Sequence, residues 1–138
     1  MVCSYSSAVD LTSDELSIDK RIDPATNNSL AAALLQQDYD YAVDEVLEAR
    51  DEGAQIALVS AHYPGIDETQ VLPALVEEIQ TMVNLPLALS TSNLVALERA
   101  LRIYNGCALV DLSSLVPEQR EEASALASRY GAIARDAL

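Results

Sequence analysis

Three short, uninterrupted apolar runs stand out along the chain, at residues 56–59, 85–89 and 107–110. Each run follows a segment with helical spacing of its apolar residues, and turn residues bound it. Continuous apolar runs of this length are typical of strands that are buried on both faces of a parallel sheet. A weaker apolar segment at residues 15–18 is the first of the series. The pattern therefore predicts four strands that alternate with helices.

Helices are predicted for the segments between these strands. Residues 29–35 are strong helix formers behind Asn and Ser caps, and a second helix follows Asp38 and ends at Gly53. Pro73 should start or kink the third helix. The three later helices each have one apolar stripe and are predicted over residues 71–83, from about residue 92, and after Pro117.

This alternation predicts an α/β fold, because right-handed crossovers place consecutive strands in a parallel sheet. The expected architecture is a parallel (βα)4 half of a TIM-type barrel, with helices covering the outer face. It would occupy residues 15–138. The polar, Ser-rich residues 1–14 are predicted to form a mobile N-terminal extension. The predicted core contains Leu58, Val59, Leu87, Leu89, Leu109 and Val110.

Charge and composition narrow the functional classes. The 138 residues include 22 acidic and 8 basic side chains, so the formal net charge is −14. Such an excess of acid disfavours nucleic acids and anionic membrane surfaces as partners. No apolar run approaches the roughly 20 residues that cross a bilayer, and the first residues lack the features of a signal peptide. A cytoplasmic protein is expected. Cys3 and Cys107 have no metal-binding spacing.

Functional residues of such folds are expected just after the carboxyl ends of the strands. The residues there are hydroxyls, an amide, carboxylates and the only His, a set that could hydrogen-bond a polar heterocyclic ligand. The first loop contains residues 19–23, and the third contains residues 90–93. His62 follows the second strand, and Asp111 ends the fourth.

Each of these residues has a structural alternative. His62 suits proton transfer, but a surface loop His is the simpler interpretation because no ionisable partner stands at a telling spacing. Asp111 either contacts a ligand or caps a nearby helix. Residues 90–92 could equally cap the helix that follows them. There is no Gly-rich phosphate loop, GxSxG elbow or HExxH motif, so nucleotide hydrolysis, α/β-hydrolase chemistry and zinc proteolysis lack support.

Three segments match the order of motifs in a known family. Residues 19–23 read DKRID, residues 38–41 read DYDY and residues 53–60 read GAQIALVS. They correspond to a first-strand G-E-R-I-N, an Asp-Tyr-rich helix and G-A-x-x-x-D-x-N. Over residues 18–131 the chain resembles the pterin-binding barrel of methyltetrahydrofolate:corrinoid methyltransferases. In this alignment the family's second-strand Asp falls on Leu58 and its Asn on Ser60.

The resemblance implies a pterin site with altered residues. Ser90 and the two residues after it align with the family's D-S-[ST] pattern, whose Asp holds the pterin ring. The Asn that follows this pattern is retained as Asn93. Asp111 aligns with the Asn of the family's I-N-S pattern, and in the family this Asn approaches the methyl-bearing nitrogen. The implied ligand is a tetrahydrofolate derivative, contacted by Asp111, Asn93, Ser90 and Ser60, with no directly bound metal.

Weak or absent methyl transfer is expected from these replacements. The amino and ring N–H groups of a pterin require a buried carboxylate, which Ser90 does not provide. A non-enzymatic interaction or regulatory subunit that keeps the scaffold is the alternative. It would dock on a full-length methyltransferase or a corrinoid protein.

Chain length also bears on assembly. A complete barrel needs about 250 residues, and residues 133–136 (IARD) stand where the family's fifth strand would be apolar. A half barrel would leave its inward face and two strand edges open to water. We therefore expect a twofold homodimer. The N-terminal extension or the last residues could instead fold over the opening.

Overall fold

The computed structural model describes residues 17–136 and the backbone of two short strands before them. These strands, β1 (Val2–Cys3) and β2 (Ala8–Val9), pair antiparallel. Both strands fall within residues 1–14, which were predicted to form a mobile extension. The other residues of that segment lie outside the described part of the chain.

The main sheet is entirely parallel and its strands follow one another in chain order. They are β3 (Ile18–Ile22), β4 (Ile56–Ser60), β5 (Leu87–Ser90), β6 (Leu109–Asp111) and β7 (Ile133–Arg135). The predicted α/β class and parallel sheet are confirmed, but the prediction of four strands was wrong by one. The backbone explains this, because β7 pairs with β6 through main-chain groups that need no apolar side chains. The Ile133 N–H donates to the Ala108 carbonyl at 2.9 Å.

Within the described part of the chain, five helices connect or follow these strands. They are α1 (Asn28–Leu35), α2 (Asp40–Asp51), α3 (Glu68–Met82), α4 (Leu94–Ile103) and α5 (Pro117–Arg129). Gly53 ends the second helix as predicted, with the positive φ of +98° that a residue without a Cβ adopts readily.

Pro73 lies inside α3, five residues after the helix begins at Glu68. It neither starts the helix nor stops it. A proline has no N–H, so Pro73 cannot donate a helical hydrogen bond to the Thr69 carbonyl, four residues earlier. The Nη1 of Arg99 in α4 donates to that carbonyl at 3.2 Å. This side-chain bond replaces the missing backbone bond and joins the two helices.

The two faces of the sheet have different surroundings. Strand residues that pack with the helices in the main core include Ala57, Val59, Leu87, Leu89 and Val110. The opposite face has a smaller cluster, in which Ile56, Ala88 and Leu109 are buried and Ile18, Leu58 and Ile133 are half-buried. Five of the six predicted core residues are therefore buried. Leu58 is the exception and is half-buried, although it shares its face of the sheet with the buried Leu109.

Burial on that second face differs from the expectation of an open, water-exposed surface. Ile56, Ala88 and Leu109 are each 0% exposed in the single chain. The expectation was wrong for these three residues. Burial of the centre of this face therefore does not require a second copy of the chain.

Candidate functional site

A polar row crosses the carboxyl ends of three neighbouring strands. Ser60 of β4 is the register partner of Ser90 in β5, and Ser90 is the partner of Asp111 in β6. Side chains alternate along a strand, so these residues share the face of Ala88 and Leu109, opposite the helices. The structure thus brings together three of the four residues that the sequence singled out for a ligand.

A cavity of about 260 Å³ opens beside this row. Ile22 and Leu58 contribute its apolar lining. Its charged or ionisable lining residues are Asp23 and His62, and its hydroxyl groups belong to Ser60, Ser90, Thr91, Ser92 and Ser114. The cavity has the mixed apolar and hydrogen-bonding lining that small-molecule sites require.

Ser90 and Ser114 meet inside the cavity. Their Oγ atoms lie 3.0 Å apart and share one hydrogen bond, and Ser90 is only 9% exposed. Asp111 holds the turn that brings Ser114 to this position, because its Oδ1 accepts the Ser113 N–H at 2.9 Å. Asp111 itself is 6% exposed. Its carboxylate therefore supports the loop beside the cavity.

Glu68 links two loops of the cavity rim. Its Oε1 accepts the Thr91 hydroxyl at 2.8 Å, and its Oε2 lies 3.4 Å from Nδ1 of His62. The Glu68 side chain is 10% exposed, whereas that of His62 is 69% exposed. His62 thus has the ionisable partner that its spacing did not indicate. This contact orients the His62 ring through its Nδ1 atom.

Asn93 is placed at the start of α4. Its side-chain oxygen accepts the Val95 and Ala96 N–H groups at 3.0 and 3.2 Å, which caps the helix. Its own N–H donates to the Thr91 hydroxyl at 3.1 Å. The oxygen of the Asn93 amide is therefore committed to the helix, and ligand contact by this residue stays a prediction.

Sequence reasoning did not single out Asp23, Glu68 and Ser114 as individual site residues. Asp23 follows β3 and belongs to the DKRID motif, and Glu68 follows the helix cap Asp67. The sequence could have pointed to both, because each is an acidic residue next to the end of a strand or the start of a helix. Ser114 belongs to the loop after β6, where functional residues were expected, but its contact with Ser90 joins residues 24 positions apart and had no local signal.

A separate ion group lies between β3 and α2. Arg21 donates to Asp19 through Nε and Nη2, each at 2.9 Å, and also pairs with Glu52. Burial acts to raise the pKa of the Asp19 carboxyl, but the hydrogen bonds and charge of Arg21 outweigh it and hold that pKa below its ordinary value. The pKa of Arg21 is raised, chiefly by its hydrogen bond to Asp19 and then by that to Glu52. This group joins the edge strand to its helix.

Comparison with known proteins gives no match either to the profile of a protein family or to a characterised protein. Within the described residues, no helix is long and apolar enough to cross a membrane. The same part of the chain contains no group of three or more His, Cys, Asp or Glu arranged to hold a metal ion.

Proposed function

We propose that this chain is half of a TIM-type barrel related to the pterin-binding methyltransferases, and that its cavity binds a pterin-class ring. Two features of the fold support this proposal. The parallel strands follow chain order, as in a (βα) barrel, and the helices pack on one face. The opposite face changes from apolar residues such as Leu109 to the polar row that ends in Asp111.

The proposal depends above all on the cavity. It lies at the carboxyl ends of the strands, where (βα) barrels place their ligands. Its volume of about 260 Å³ suits one small ring system. The hydroxyls of Ser60 and Ser90 can serve as donors or acceptors at the edge of a heterocycle, while Leu58 offers apolar contact.

Methyl transfer by this chain itself is proposed to be weak or absent. The Ser90 hydroxyl shares its hydrogen bond with Ser114, and it cannot provide the negative charge of the carboxylate that the family has at this position. The second-strand positions hold Leu58 and Ser60 in place of the family's Asp and Asn. Binding can survive such changes more readily than catalysis, because catalysis needs groups that stabilise the transition state selectively.

A second candidate function is that of a non-enzymatic subunit that docks on a corrinoid protein or a full-length methyltransferase. The ends of the sheet favour it. Strands β3 and β7 are the outer strands of the described sheet, and such edges offer main-chain groups to a partner strand. The same edges support self-association of two copies as a further proposal.

Isothermal titration with methyltetrahydrofolate separates the two candidate functions. We expect micromolar binding by the unchanged chain and its loss in Ser60→Leu, because the larger side chain fills the cavity. Ser128→Leu is the matched control, since Ser128 is exposed on α5. Its affinity should equal that of the unchanged chain.

Absence of heat with the unchanged chain would contradict the ligand-binding proposal. A complex with a purified corrinoid protein on a sizing column would then support the docking subunit. Equal binding by Ser60→Leu and the unchanged chain would place the ligand outside this cavity.

A further inference from the structure

Asp23 lines the cavity from the loop that follows β3. The side chain is half-buried. Its Oδ1 accepts the Ala25 N–H at 3.0 Å, an Asx turn that fixes the carboxylate relative to the backbone. Pro24, which is buried, restrains the same turn through its fixed φ. Oδ2 forms no hydrogen bond with the described residues and can meet a ligand.

Of the acidic residues near the cavity, Asp23 is in its lining, whereas Glu68 and Asp111 are not. Glu68 is held by Thr91 and approached by His62, and Asp111 holds the Ser113 N–H. The lining residues that the structure describes include neither Lys nor Arg. No described cation in the lining therefore competes with a ligand for the negative charge of Asp23.

The hydrogen-bonding edge of a pterin has a demanding pattern. Its 2-amino group and the adjacent ring N–H are two donors side by side, and a carboxylate matches them because it accepts at both oxygens without offering a proton. A serine hydroxyl offers one oxygen. Ser90 therefore does not meet this requirement, although it lies where the resemblance places the pterin-binding carboxylate.

We propose that Asp23 is the residue that selects the ligand, by accepting hydrogen bonds from the amino group and ring N–H of a pterin. This inference depends on the proposed function of the cavity and adds the source of its specificity. The carboxylate comes from the end of β3, whereas the resemblance would place it at the end of β5. The expected ligand class is thus a 2-amino-4-oxo heterocycle, in preference to rings without the amino group.

Two ligands test this directly: pterin, and lumazine, in which an oxo group replaces the 2-amino group. Binding is measured by titration of the ligand fluorescence. The unchanged chain should prefer pterin. Asp23→Asn should weaken pterin binding by about 10- to 100-fold and lumazine binding by less, because the amide keeps one oxygen and loses the charge. The amide oxygen can still accept the Ala25 N–H, so the turn should persist, and unchanged thermal unfolding checks this.

Asp38→Asn is the matched control. Asp38 also accepts a backbone N–H two residues on, that of Asp40 at 3.1 Å, but it lies in the exposed segment before α2. Its pterin affinity should equal that of the unchanged chain. If the unchanged chain binds no pterin, the proposed function and this inference both fail. If it binds pterin but Asp23→Asn binds equally well, or loses pterin and lumazine alike, only this inference is overturned.

Discussion

Thr91 and Glu68 join two loops of the cavity rim through a hydrogen bond of 2.8 Å between Oγ1 and Oε1. Thr91 follows β5 and is 3% exposed, while Glu68 begins α3. The partial positive charge of a helix N-terminus stabilises a carboxylate at this position. The bond therefore fixes the relative position of the two loops from which Thr91 and His62 reach the cavity.

Thr91→Val should destabilise the chain by about 1 to 3 kcal/mol, because it keeps the shape of the side chain and removes the donor to a nearly buried carboxylate. Urea denaturation followed by circular dichroism measures the change. Thr81→Val is the control, since the Thr81 hydroxyl bonds to the Glu77 carbonyl on an exposed part of α3. It should cost about 0.5 kcal/mol or less. Equal costs for the two variants would contradict a structural role of the rim bond.

Stability should depend on pH through Asp19. Its folded-state pKa is lowered by Arg21 against the opposing effect of burial. The contribution of the ion pair to stability is therefore present above the unfolded-state pKa of about 3.9 and is lost as the pH falls through the lower folded-state pKa.

Asp19→Asn should accordingly reduce the free energy of unfolding more at about pH 7 than at about pH 2, because the contribution of the charged carboxyl in the unchanged chain declines as the pH falls below the unfolded-state pKa. Urea denaturation at both pH values measures the two differences. Asp51→Asn is the control, because Asp51 pairs with Arg50 at 3.4 Å and its side chain is 72% exposed. A loss at Asp19→Asn that does not change with pH would contradict the ion-pair explanation.

Leu109→Ala tests whether the face opposite the helices is buried in solution. Leu109 is 0% exposed, so its truncation should cost about 2 to 5 kcal/mol. Val95→Ala removes apolar atoms from a residue that is 53% exposed on α4 and should cost about 0.5 kcal/mol or less. Thermal and urea unfolding compare the two variants. A similar small cost for both would show that this face is open to water.

Self-association through the sheet edges can be tested by mass. Light scattering behind a sizing column should give about twice the chain mass of 14.8 kDa if two copies pair through β3 or β7. Ile133 donates to the Ala108 carbonyl and Arg135 accepts from the Leu112 N–H, so both residues turn their main-chain groups toward β6. The Ala134 N–H between them faces the outer edge, and Ala134→Pro would remove that main-chain donor. The variant should shift the mass toward one chain if β7 is the contact. A single species near 14.8 kDa for the unchanged chain contradicts the dimer.

The local sequence was sufficient to predict most elements of the fold. The apolar runs at residues 56–59 and 107–110 identify strands because only a doubly covered strand needs consecutive apolar side chains. Gly53 identifies a helix end through its backbone freedom. The polar row of Ser60, Ser90 and Asp111 was also predictable, since parallel strands bring their carboxyl ends to one edge.

Tertiary structure decided what depends on pairing between distant segments. Strand β7 forms because the main chain of Ile133 to Arg135 pairs with β6. The side-chain pattern of these residues does not predict this pairing. The partners of Glu68 follow from the spacing of neighbouring loops, which the sheet register sets. Residue types and periodicity therefore determined the elements and the polar edge, whereas register and loop geometry decided which side chains meet there.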